Sequence, residues 1–111
     1  MKYLFLIGLI LFVFVSGCVQ NIPVNEPEWI REYIKENSPL WVSKCEYKNA
    51  TVYYIPSSCC DQFNYLYNEN GEKICAPDGG LTGNGDGRCS DFSIDDNQNC
   101  RFIWQDPDAF T

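Results

Sequence analysis

The sequence predicts an α+β fold: one N-terminal helix packed on a small antiparallel sheet, disulfide-stapled, with a long Gly-rich loop. Three observations predict it. One stretch has helical apolar spacing, two strand–turn–strand patterns follow it, and six cysteines are spread from Cys45 to Cys100. Helix and strands that segregate along the chain, instead of alternating, are the mark of this class.

The helix comes first. Asn25 is placed to cap it, Pro27 falls near its first turn, and the pattern runs to about Asn37 before Pro39 stops it. Trp29, Ile30, Tyr33 and Ile34 share one face, with Arg31, Glu32, Lys35 and Glu36 on the other side. That spacing buries one side and solvates the other, so the apolar face is core packing. Two hairpins follow. Cys45–Tyr47 and Thr51–Ile55 flank the turn Lys48-Asn49-Ala50. Phe63–Tyr67 and Lys73–Cys75 flank Asn68-Glu69-Asn70-Gly71, whose Asn-Gly is a strong turn signal. A last strand, Arg101–Trp104, closes the chain before Asp106-Pro107.

The N-terminus says where such a domain is expected. Lys2 precedes an apolar run from Tyr3 to Val15, too short to span a bilayer comfortably. It ends in Val15-Ser16-Gly17-Cys18, which resembles the lipobox of prokaryotic lipoproteins: an aliphatic residue, two small residues, then a cysteine. The resemblance implies that residues 1–17 are a cleaved signal peptide and that Cys18 carries a diacylglycerol. Residues 18–27 are then a lipidated tether, and 28–111 a single small disulfide-rich domain. The expected localisation is extracytoplasmic, on the cell surface or periplasmic side, held to the membrane by the N-terminal lipid.

Cysteine arithmetic agrees. Setting Cys18 aside leaves Cys45, Cys59, Cys60, Cys75, Cys89 and Cys100, an even count that reads as a disulfide framework in an exported chain. A zinc site is disfavoured, because the chain has no histidine and no C-x-x-C pair. Six cysteines allow about 15 connectivities, and sequence does not choose among them. Adjacent cysteines bridge each other only through a strained peptide. The expectation is therefore Cys59 and Cys60 bonded to Cys75 and Cys89 in some order, with Cys45 bonded to Cys100. A domain of about eighty residues has a marginal core, and staples compensate.

Charge narrows the partners. The chain carries 8 basic and 15 acidic side chains, and loss of Lys2 with the signal peptide leaves 7 against 15. Such a surface excludes nucleic acid and disfavours adhesion to anionic headgroups. The remaining partner classes are an extracytoplasmic protein, a glycan or a cation.

The most unusual stretch runs from Pro77 to Phe92, with five glycines between Gly79 and Gly87. Thr82-x-Asn84-x-Asp86-Gly87 partly mimics a calcium loop, but Thr82 stands where the first acid belongs and Ser93 where the bidentate Glu belongs. The candidate calcium ligands are Asp78, Asn84, Asp86 and Asp91; otherwise no cofactor is expected. Asp95-x-Asn97-x-Asn99 is a second near-miss, with Cys100 where glycine is wanted. Gly83, Gly85, Asp86 and Arg88 are the candidate binding residues of the loop. Arg88 in a loop pinned by disulfides also invites comparison with small protease inhibitors, although pairing with Asp86 or Asp91 is the ordinary role of such an Arg. Catalysis has little to stand on. No Ser-His-Asp or Cys-His arrangement is available without histidine, and a carboxylate pair such as Asp78 with Asp86 arises cheaply in an acidic domain.

The words Val52-Tyr53-Tyr54, Cys59-Cys60-Asp61-Gln62, Leu66-Tyr67, Cys75-Ala76-Pro77-Asp78-Gly79-Gly80, Gly85-Asp86-Gly87 and Ile103-Trp104-Gln105-Asp106 resemble a family of small prokaryotic lipoproteins. Those proteins share a domain of unknown function, and the resemblance covers about residues 45–105. Cys45 and Cys100 are extra to its pattern, which fits their pairing with each other. The resemblance implies a location and a fold but no mechanism. The expected role is a non-catalytic binding or accessory module. The alternatives are a calcium-dependent binding domain, or an inhibitor or hydrolase using the Gly-Asp loop.

Overall fold

The computed structural model describes residues 22–94 and 99–108. The expected signal peptide, Cys18, and Asp95 and Asn97 of the second near-miss motif lie outside the described residues. One helix, α1 (Glu28–Asn37), is followed by five strands: β1 (Trp41–Tyr47), β2 (Ala50–Ile55), β3 (Phe63–Tyr67), β4 (Lys73–Gly79) and β5 (Arg101–Gln105). They form one antiparallel sheet in the order β4-β3-β2-β1-β5. The α+β expectation is met, and no described helix is long and apolar enough to cross a membrane.

The helix starts where proline dictates. Pro27, not Asn25, stands at the N-cap; its extended backbone (φ −54°, ψ 148°) lets its carbonyl accept the Ile30 N–H at 3.0 Å. Asn25 lies two residues too early, and no side chain caps the helix. Glu28 meets the positive end of the helix dipole and Lys35 the negative end. At the other end Ser38 turns left-handed (φ 44°) and returns its N–H to the Ile34 carbonyl. Ten residues are too few to hold a helix in water alone, so packing holds it. Ile30 and Ile34 are buried against Val42, Tyr53, Ile55, Tyr67 and Trp104, flanked by Trp29 and Tyr33.

Both hairpins form; β3 has the expected bounds, and β1, β2 and β4 outrun theirs. Lys48 and Asn49 have φ of 52° and 65°, the signature of the two-residue turn that matches strand twist. In the second turn the Asn68 side chain accepts the N–H groups of Asn70 and Glu72, and Gly71 takes φ 85°. Trp29 lies on Gly71, where a Cβ would come within 3.0 Å of the indole, and donates its N–H to the Glu69 carbonyl at 2.8 Å. β1 begins at Trp41 and β4 continues through Pro77 to Gly79, absorbing the start of the glycine-rich stretch. Pro77 is tolerated because β4 is an edge strand.

The strand order explains the loop. β4 and β5 are opposite edges of the sheet, so the chain between them must cross about four inter-strand spacings of roughly 4.8 Å each. It crosses the face away from the helix. There Cys89 and Phe92 are buried with Cys45, Val52, Tyr54, Leu66 and Cys75. The loop is thus the third layer of the domain, covering a face that would otherwise be wet.

The disulfides pin that cover. Cys75–Cys89 ties its middle to β4 and Cys45–Cys100 its end to β1, the second as expected. Cys59 and Cys60 pair with each other, which corrects the expectation that they reach Cys75 and Cys89. The register gives the reason. Cys75 lies opposite Leu66, three residues along β3 from Phe63, whereas Cys59 and Cys60 precede Phe63 beyond the strand end. Cys75 and Cys89 are buried on the loop side, while Cys59 and Cys60 are exposed.

Candidate functional site

The predicted loop residues are engaged separately. Asp78, on β4, accepts the Tyr54 hydroxyl at 2.9 Å and the Asn64 amide at 2.7 Å, and Asn64 in turn accepts the Ser57 N–H at 2.8 Å. Asp86 accepts the backbone N–H of Arg88 at 2.9 Å. Asn84 donates its N–H to the Thr82 hydroxyl oxygen. Asp91 turns to the β1–β2 hairpin, where it accepts the Tyr47 hydroxyl at 2.6 Å with Lys48 3.9 Å away. The Tyr47 hydrogen bond holds the Asp91 carboxyl below its usual range. Burial, then the same bond, pushes the Tyr47 phenol up. The four calcium candidates are therefore not brought to one point, and among the described residues no group of three or more His, Cys, Asp or Glu could hold a metal.

The binding candidates also divide. Gly85 has φ 68° and lies directly on β4: its N–H donates to Gly79, the Asp86 N–H donates to the Ala76 carbonyl, and a Cβ at Gly85 would run into that same oxygen. It is a packing residue. Gly83 and Gly87 have open space where a Cβ would stand. Arg88 is exposed, but it sits in a run of turns and not on the extended segment that an inhibitor offers a protease.

A different site assembles on the helix side. Phe63, Tyr65 and Tyr67 alternate along β3 and so project from one face. Their neighbouring ring centroids are 6.0 and 6.4 Å apart, and Tyr33 from α1 lies 6.0 Å from Tyr67. These rings wall an open groove of about 530 Å³ between the end of α1 and the β2–β3 connection. Asn37, Asp61, Gln62 and Lys73 supply its polar edge, and the Lys73 ammonium lies 4.2 Å from the Tyr65 ring centroid. Burial, then the neighbouring Tyr33, pushes the Tyr67 phenol far above its usual range, so it stays a neutral hydroxyl. The rings pack edge-to-face along β3 with the Lys73 ammonium over the Tyr65 ring, beside amides and a carboxylate, a lining that suits a ligand with both C–H faces and hydroxyls. In the sequence these aromatics read only as strand and helix faces. The alternation was the signal, but where α1 stops over β3 is a tertiary fact.

A carboxylate is drawn under the segment that precedes α1. Glu26, with its side chain 6% exposed, takes Lys44 at 3.3 Å, the Tyr53 hydroxyl at 2.9 Å and Arg101 at 3.9 Å. It clamps the segment ahead of α1 onto the sheet.

No curated protein and no solved structure matched in searches with this chain. A family model, described as Domain of unknown function (DUF6970), matches residues 29–106, from the first turn of α1 to the residue after β5. The match takes in the helix, all five strands and the crossover loop, and this chain therefore belongs to the DUF6970 family.

Proposed function

We propose that this chain is an exported lipoprotein, anchored through Cys18, whose domain is a non-catalytic binding module taking a polyhydroxylated ligand, an oligosaccharide, in the Tyr33–Phe63–Tyr65 groove. The carrying observation is the aromatic row with its polar rim. Ring faces stack on the apolar faces of sugars while amides and hydroxyls meet their edges. The acidic surface disfavours polyanionic ligands. The anchor is supported by the Val15-Ser16-Gly17-Cys18 word, and by the pairing of the other six cysteines, which leaves Cys18 as the odd one.

Two measurements test this reading. Labelling with a fatty-acid precursor should mark the wild-type chain and not Cys18→Ser; an unlabelled wild type would sink the anchor. Titration with soluble neutral cello-, chito- and manno-oligosaccharides, followed by aromatic fluorescence, should saturate for at least one series. Tyr65→Ala should then weaken binding about tenfold, the equivalent of roughly 1.4 kcal/mol for one lost stacking face. Saturation that Tyr65→Ala leaves unchanged would move the site elsewhere. A dependence on added calcium would return attention to the glycine-rich loop.

A further inference from the structure

We propose that the β5 edge of the domain rests on the bilayer that carries the anchor, with Val24 and Phe102 entering the boundary between headgroups and acyl chains. This rests on the lipid-anchored reading of Cys18.

The chain leaves the fold at a fixed point. Glu26 is held by Lys44, Tyr53 and Arg101, and Ile22 packs against the helix-side core, so Ile22–Pro27 belongs to the rigid body. Four peptide steps separate Ile22 from Cys18, a reach of at most about 14 Å when fully extended. The headgroup layer of one leaflet is itself roughly 5–8 Å thick. A leash that short keeps the exit at Ile22 within about 9 Å of the headgroup surface.

The surface at that exit has the chemistry of an interface. A groove of about 470 Å³ beside β5 has Ile22, Pro23, Val24, Phe102 and Ile103 as its apolar lining, with Asn25, Glu26 and Arg101 as its polar part. Val24 is 74% exposed and Phe102 66%, two of the four large apolar side chains left exposed among the described residues. Trp41 backs Phe102 edge-on at 6.2 Å between ring centroids. The Arg101 side chain is 70% exposed, and its guanidinium lies 3.9 Å from Glu26. The net negative charge argues against anionic lipid, so the contact is apolar and suits neutral headgroups. A second copy or another protein on the same patch would leave it out of the lipid.

The test uses the full lipidated protein in phosphatidylcholine vesicles with brominated acyl chains, which quench tryptophan at that depth. Intact mass first establishes whether Cys18 carries the lipid. Emission added by Phe102→Trp, measured over wild type, should fall by about half relative to ordinary vesicles, as for an aromatic at the headgroup–acyl boundary. Emission added by Leu81→Trp, on the crossover loop, should not change. A lipidated protein in which neither added tryptophan is quenched overturns this proposal and leaves the anchor standing. Equal quenching of both overturns the assigned face. A mass without lipid overturns the anchor and this proposal together, so the two failures are distinguishable.

Discussion

Glu26 and Gly85 show how single residues hold this fold. Removing the Glu26 carboxylate leaves the Lys44 ammonium and the Tyr53 hydroxyl without their acceptor in a half-buried setting. Glu26→Ala should cost about 2 kcal/mol in urea unfolding, the usual scale for stranding buried donors. Tyr53 carries the related pH effect. Burial first, and the bond to Glu26 second, raise its phenol far above the ordinary value. A folded pKa above the unfolded one stabilises fully below the unfolded pKa, about 10, and that stability is lost as pH rises further. Unfolding should therefore become easier above about pH 10 in the wild type and less steeply so in Tyr53→Phe, as followed by circular dichroism. Gly85 and Gly83 make a controlled pair. Both have positive φ, but only Gly85 faces a backbone oxygen where its Cβ would stand. Gly83→Ala should cost about 1 kcal/mol, the left-handed penalty alone, and Gly85→Ala at least about 3 kcal/mol because the loop must lift from β4. Equal losses would show that the Gly85 contact is not retained in solution.

Among the elements, helix and hairpins were legible from local pattern. Ile30 and Ile34 are buried because the apolar spacing set the helix face, and Asn70-Gly71 closes the second hairpin because few residue pairs accept its turn. The helix starts at Glu28 and not after Asn25, because a polar residue before a proline mimics a cap while the proline alone sets the boundary. The glycine-rich loop keeps residues 81–84 and 86–88 exposed, and at Gly85 its backbone closes on β4. Its local composition reports backbone freedom, and only the strand order shows that the freedom lets it cross a sheet face closely. The disulfides test this cover. In the chain-entropy account the Cys75–Cys89 link, 14 residues apart, contributes about 3 kcal/mol. Cys75→Ala/Cys89→Ala should lose that much and expose Phe92 to solvent, read as faster hydrogen exchange across residues 89–94. Unchanged exchange would mean that the loop is held by packing alone.

At the scale of the whole molecule, the domain is a sheet sealed on one face by a helix and on the other by a crossover loop. The Cys45–Cys100 link, spanning 55 residues, joins β1 to the end of that loop. Its loss should cost about 4 kcal/mol, more than Cys75–Cys89, whereas Cys59→Ser/Cys60→Ser, closing almost no loop, should leave the melting temperature nearly unchanged. Melting curves of the three double variants give the order directly. The clamped exit at Ile22 and the aromatic groove are likewise properties of the assembled body. The first joins Glu26 to β1, β2 and β5, and the second joins the end of α1 to β3.

The sequence by itself determined the class of the fold, the face of the helix, the places of the turns and a framework of six paired cysteines. Each follows from short-range chemistry: apolar periodicity, positive φ at turns, and an even cysteine count. The tertiary structure decided which cysteines meet, why the glycine-rich stretch is long, and where aromatic side chains are left uncovered. Those outcomes depend on strand order and on where a ten-residue helix ends above the sheet. They are distances between segments far apart in the chain, and no local pattern encodes them.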